Sequence, residues 1–145
     1  MKKNRKRGTI LALIIMITFL SQSVYAYDNY ESNDSIQTAT QIGWGQTITA
    51  DLSSSSDVDY FKLYAIPVTT TAYVSFTTLA NSTNYDLLVW DITTNALVVY
   101  LSDSQAGEHT ETTTFNHISG HQYVVMVGTV DSWVAAGNYT FNIHL

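Results

Sequence analysis

A chain of 145 residues has room for one domain with one core, and the absence of cysteine excludes disulfides, thiol catalysis, zinc–thiolate sites and a lipid-modified N-terminal cysteine. The formal net charge is −6, but five of the six basic residues lie within the first seven positions; beyond them Lys62 alone faces all 12 carboxylates, a formal −11. A surface this acidic repels phosphate backbones and argues against nucleic acid as a partner, whereas it suits an exterior in which bound cations relieve self-repulsion.

The first elements concern targeting. Met1–Arg7 carries Lys2, Lys3, Arg5, Lys6 and Arg7, the apolar run Ile10–Leu20 follows, and Val24-Tyr25-Ala26 places small residues at the −3 and −1 positions. This pattern predicts a secretory signal over 1–26, cleaved after Ala26. The apolar run is shorter than the ~20 residues a spanning helix needs, so the expected mature chain, 27–145, is a secreted single domain with no membrane attachment. Its first stretch, Tyr27–Asp34, is polar and turn-like. Ser35–Gln41 is expected to form one short helical turn, capped by Asp34 or Ser35.

From there the pattern is β throughout, with abundant Thr, Val and Tyr. Strands are predicted near Thr47–Leu52, Val58–Ala65, Thr71–Leu79, Tyr85–Asp91, Ala96–Leu101, Thr110–Phe115, Gln122–Val127 and Asn138–His144. The last alternates most cleanly. Tyr139, Phe141, Ile143 and Leu145 point one way and Asn138, Thr140, Asn142 and His144 the other, one face buried and one wetted. About eight short strands separated by Ser, Asn, Asp and Gly predict a single antiparallel β-sandwich of jelly-roll type.

The chemistry concentrates in Ser53–Ala65, SSSSDVDYFKLYA. Asp57 and Asp59 stand two apart, so both project from one side where the strand begins. Upstream, Glu31-Ser-Asn33-Asp34 forms a second acidic, amide-bearing cluster. The two are expected to meet around a hard cation at one end of the domain. The competing account is ordinary turn chemistry, with Asp34 capping the short turn and Asp57 closing an Asx-turn.

Glu31-Ser-Asn33-Asp34, Ala39, Asp57-Val-Asp59-Tyr60-Phe61, Asp86-Leu87 and Gly137-Asn138-Tyr139 occur in an order that resembles the bacterial pre-peptidase C-terminal domain family, which includes the collagen-binding domains of bacterial collagenases. The resemblance spans 28–145. It implies a β-sandwich with calcium held where the N-terminal segment folds back, ligated by Glu31, Asn33, Asp34 and Asp59. Strand parity adds Asp57, and Asp28 is an outlying candidate. Collagen-binding relatives carry a further acid where this chain has Asn29, which implies weaker binding, or one ion instead of two. They also place tyrosines where this chain reads Val127-Gly128-Thr129, while Tyr100 matches another of their aromatics.

Trp90 shares the parity of Asp86 and Leu88 and is expected on the outer face; Trp133 falls in the loop before the last strand. With Tyr100 they are the candidate contacts for an extracellular ligand, the alternative being that they cover strand edges. Trp44, among turn glycines, is a weaker candidate. His109, His117, His121 and His144 show no metal-binding spacing and are expected at the surface or at strand ends, and no nucleophile-elbow or phosphate-loop motif is present. Three functional classes follow. One is a non-catalytic, calcium-stabilised module binding an extracellular polymer, polysaccharide or fibrous protein. Another is an interaction or folding helper for a secreted peptidase. The third is a small hydrolase with an unrecognised site. Oligomeric state is not legible in the residues.

Overall fold

The computed structural model describes residues 29–54, 56–78, 85–103, 107–129 and 138–145. The expected signal segment, Asp28 and Trp133 lie outside the described residues. Nine strands run in chain order: β1 (Thr40–Ile42), β2 (Thr47–Asp51), β3 (Asp59–Leu63), β4 (Thr70–Thr78), β5 (Tyr85–Asp91), β6 (Ala96–Asp103), β7 (His109–His117), β8 (Tyr123–Thr129) and β9 (Asn138–His144). Among the described residues no helix is long and apolar enough to cross a membrane.

The strands form two sheets, β1-β3-β8-β5-β6 and β2-β9-β4-β7. The pairings nest: β5 with β6, β4 with β7, β3 with β8 and β2 with β9, all antiparallel. One long hairpin folded over on itself gives this order, and the further pairs β4–β9 and β5–β8 knit each sheet together. This is the expected jelly roll. β1 departs from the expectation: it is a ninth strand, and it pairs parallel to β3, Thr40 opposite Phe61, so the sandwich is not wholly antiparallel. Three residues with one buried side chain, Ile42, carry too little alternation to be read from sequence. The turn expected over Ser35–Gln41 is a single reverse turn, Thr38 N–H to Ser35 C=O at 3.1 Å, and the chain enters β1 two residues later.

Alternation explains the core. Inward residues such as Ile48, Phe61, Val74, Phe76, Leu87, Val125, Tyr139 and Phe141 are at most 2% exposed. Each such large side chain contributes ~1.5–3 kcal/mol on burial. Aromatic edges cross between the sheets, with Phe61 against Phe141 at 5.1 Å and Phe115 against Tyr123 at 5.2 Å. Two turns need a left-handed residue and have one: Gly45 (φ 77°) between β1 and β2, and Asn95 (φ 57°) between β5 and β6. In the second, Asp91 Oδ1 accepts the N–H groups of Thr93 (2.9 Å) and Thr94 (3.2 Å), an Asx-turn.

The two outer faces differ in chemistry. On the five-stranded sheet, register places Tyr60, Met126, Leu88 and Tyr100 in one row and Lys62, Val124, Trp90 and Leu97 in the next. The four-stranded sheet turns hydroxyl and amide groups outward.

Candidate metal centre

β3 opens with Asp59, which has the parity of Phe61 and Leu63 and is therefore carried inward, to 0% exposure, at one end of the sandwich. The Tyr139 hydroxyl on β9 donates to Asp59 Oδ2. Two residues earlier the serine loop bends back: Asp57 N–H reaches Ser54 C=O at 3.2 Å, and Asp57 Oδ2 accepts the Ser53 N–H at 2.5 Å. The Asx-turn expected of Asp57 would take an N–H two residues on; the bond seen instead reaches four residues back to Ser53, and it occupies one carboxylate oxygen.

The N-terminal segment lies along the same strand. The Tyr30 ring packs edge-on to Phe61 at 5.4 Å, Thr40 Oγ1 donates to Tyr30 C=O at 3.2 Å, and Asn33 C=O accepts Tyr60 N–H at 2.9 Å. These contacts carry Glu31 to the start of β3. Glu31, Asp57 and Asp59 each offer a carboxylate oxygen within 4.8 Å of the others. Asn33, beside them in sequence, is fully buried, and neither atom of its side-chain amide has a hydrogen-bond partner among the described residues.

Asp34 differs from its neighbours. Its side chain is exposed and does not join the three converging carboxylates. Nor does it cap the following turn, which Ser35 and Thr38 close themselves through their hydroxyls (2.8 Å) and backbone. In a segment without periodicity nothing in the sequence separates Asn33, which turns in, from Asp34, which turns out. Tyr139, the hydroxyl donor to Asp59, is read from sequence only as a core residue.

Three ionised carboxylates at this separation repel by about 3 kcal/mol per pair at an effective dielectric of 20. A buried amide without partners costs roughly a further 1–3 kcal/mol. A cation between them would relieve the repulsion, and the donor set decides which kind. The three carboxylates offer only oxygen, which suits a hard ion; no histidine or cysteine belongs to the group, as a zinc or copper site would need.

The other candidate residues sit elsewhere. Trp90 lies on the outer face of the five-stranded sheet, half-buried, its Nε1–H on Asn95 Oδ1 at 3.2 Å. Tyr100, 55% exposed, shares that face, and its hydroxyl donates to Asp86 Oδ2 at 3.4 Å. Trp44 packs edge-on to His117 at 4.9 Å and donates to Tyr64 C=O at 2.8 Å, so it covers the end of the core. His117 ends β7 fully buried, its Nδ1 2.6 Å from Val68 C=O. His121 Nδ1 meets Asp91 Oδ2 at 2.8 Å. Burial opposes ionisation of Asp91, but hydrogen bonds from His121, from the Thr94 hydroxyl and from the Thr94 and Thr93 amides outweigh it and hold the carboxyl below its ordinary value of 3.8. Burial, with the Asp91 charge adding to it, pushes the Tyr123 hydroxyl up against the bond it accepts from Ile118 N–H.

No protein-family model and no curated protein sequence matches the chain. Among solved structures, the crystal structure of the pre-peptidase C-terminal domain of collagenase from Bacillus anthracis matches it with a TM-score of 0.56 at 19% sequence identity, covering 72% of this chain and 93% of that domain. At that identity the likeness is one of architecture: this chain has the fold of a pre-peptidase C-terminal domain.

Proposed function

We propose that the chain is a secreted, non-catalytic binding module whose N-terminal segment is fastened to a jelly-roll sandwich by calcium. The observation that carries this reading is the meeting of Glu31, Asp57 and Asp59, with the Asn33 amide, two residues on from Glu31, buried and without a partner among the described residues. Three carboxylates and one amide oxygen supply four of the six to eight oxygens that calcium takes, and backbone carbonyls and water complete the shell. Magnesium keeps several waters and fits a site made mainly of protein oxygens less well. The ion's part is structural: it cancels repulsion among the carboxylates and ties residues 31–33 to the start of β3.

Binding is assigned to the outer face of the five-stranded sheet, where Trp90 and Tyr100 offer aromatic area to an extracellular polymer, polysaccharide or fibrous protein. Hydrogen bonds to Asn95 and Asp86 limit the rotamers each side chain has to give up. A second reading rests on the architecture shared with a domain of a collagenase: the chain serves as an interaction or folding partner of a secreted peptidase.

Thermal melting with EGTA, then with added calcium, tests the metal. The midpoint is expected to fall with chelator and to recover with calcium more fully than with magnesium; a midpoint indifferent to all three would remove the ion. Depletion from solution by insoluble collagen and chitin, with and without Trp90→Ala, tests the polymer face. Co-purification with one secreted peptidase, without retention on either polymer, would favour the second reading.

A further inference from the structure

The outer face of the four-stranded sheet carries a different chemistry that neither the metal centre nor Trp90 uses. Across β2, β9, β4 and β7 the register aligns Thr49, Thr140, Thr77 and Thr110 in one row. Their hydroxyls pair along it, Thr49 with Thr140 at 3.0 Å and Thr77 with Thr110 at 2.8 Å. The next row reads Thr47, Asn142, Ser75 and Thr112, with Asn142 Nδ2 on the Thr47 hydroxyl at 3.3 Å. All eight side chains are exposed or half-exposed and none is charged.

In the third row His144 stacks on Tyr73, ring centroids 5.4 Å apart and planes 14° from parallel. Asn142 fixes this pair. Its Nδ2 donates to Gly45 C=O at 2.8 Å, which leaves Oδ1 to accept from His144 Nδ1–H at 2.9 Å. Exposed side chains ordinarily keep their rotamer freedom; here hydrogen bonds running from the β1–β2 turn hold the His144 ring, and Tyr73 stacks on it beside a field of hydroxyls.

We propose that this face binds a neutral polysaccharide laid across the sheet, its hydroxyls on the threonine, serine and asparagine rows and one sugar ring against the Tyr73–His144 stack. Each paired threonine couple keeps one free O–H and several open lone pairs, so donors and acceptors are intermixed as they are on a sugar chain. Strands lie ~4.8 Å apart and same-face residues ~6.7 Å apart along a strand, a spacing on the scale of a pyranose ring. The rows lack the lysines and arginines that an anionic polymer would need in a chain of net charge −6. They also lack the cluster of apolar anchors that forms the centre of protein–protein interfaces.

This inference concerns a different surface from the one assigned to Trp90, and one experiment separates them. The purified protein is titrated against microcrystalline cellulose and insoluble chitin, with a polyanionic pectate as control, and thermal melting checks that each variant folds. The expected result is depletion by at least one neutral polymer. Tyr73→Ala should weaken it about ten-fold, and Thr77→Val, which keeps the branched shape and removes the hydroxyl, about three-fold. Ile36→Ser, an exposed change in the N-terminal turn, should leave it unchanged. Depletion lost in Trp90→Ala and kept in Tyr73→Ala would move the polymer to the other sheet and overturn the proposal. So would binding to the polyanion alone, retention on neither neutral polymer, or shaping of ice crystals without polysaccharide binding.

Discussion

Asn33 gives the sharpest reading at the scale of single residues. A buried amide with no partner destabilises the fold unless an ion uses its oxygen, so on the proposed reading the sign of its contribution depends on calcium. Asn33→Leu, close in size, is expected to raise the melting stability of the calcium-free protein by ~1–2 kcal/mol and to lower that of the calcium-loaded protein. Parallel melts in EGTA and in calcium check this, and curves displaced the same way in both would sink it. Asp59→Asn keeps the shape and an acceptor for the Tyr139 hydroxyl but removes a charge; calorimetry is expected to show calcium affinity at least ten-fold weaker. Asp91 supplies a pH limb. Its folded-state pKa lies below 3.8, so its stabilisation is fully present above the unfolded value and fades as pH falls through the folded one. Stability of the wild type should therefore drop more steeply below pH 3.8 than that of Asp91→Asn. The variant should also lose roughly 1–3 kcal/mol near neutrality, because Thr93, Thr94 and His121 lose a charged acceptor. Acid titration followed by circular dichroism measures both.

Among the elements, the N-terminal segment and β3 depend on each other. Residues 30–33 meet β3 through the Tyr30–Phe61 ring contact and the Tyr60 N–H to Asn33 C=O hydrogen bond before the parallel strand β1 returns beside it. Tyr30→Ala removes no metal ligand, yet it should weaken calcium binding several-fold, because the Tyr30–Phe61 contact contributes about 0.5–1.5 kcal/mol to placing Glu31. Unchanged affinity by calorimetry would show that the segment is positioned without that ring. β9 has the opposite standing. It lies between β2 and β4 and sends Tyr139, Phe141 and Ile143 into the core. Phe141→Ala is expected to cost ~3–5 kcal/mol, read as a lower urea midpoint, with calcium binding impaired only as far as folding is.

For the whole molecule, the proposed calcium would act by mass action on the folded state. At a free concentration 100 times the dissociation constant it would add about 2.7 kcal/mol, enough to raise the melting midpoint by roughly 8–15 °C in a domain of this size. A fold without disulfides, whose core is drawn from two sheets folded over one another, has a topology rich in distant pairings. Such domains fold slowly, and an ion that bridges the N-terminal segment to β3 favours the closed end of the sandwich. The two outer faces, one aromatic and one hydroxylated, are the surfaces proposed for recognition.

The alternation of apolar and polar residues was enough to locate eight of the nine strands and the wetted face of β9, because burial in a sandwich imposes a period of two on any strand long enough to show it. The same parity put Asp57 beside Asp59 and Trp90 on an outer face. It was silent on β1, which is three residues long, and on the burial of His117 at the strand end where it was expected. Tertiary structure alone decided that Glu31 comes to the start of β3, that Asn33 turns inward while Asp34 turns to solvent, and that threonines from four separate strands fall into rows. Those arrangements depend on pairing between residues far apart in the chain, and the register that fixes them is a property of the closed sandwich.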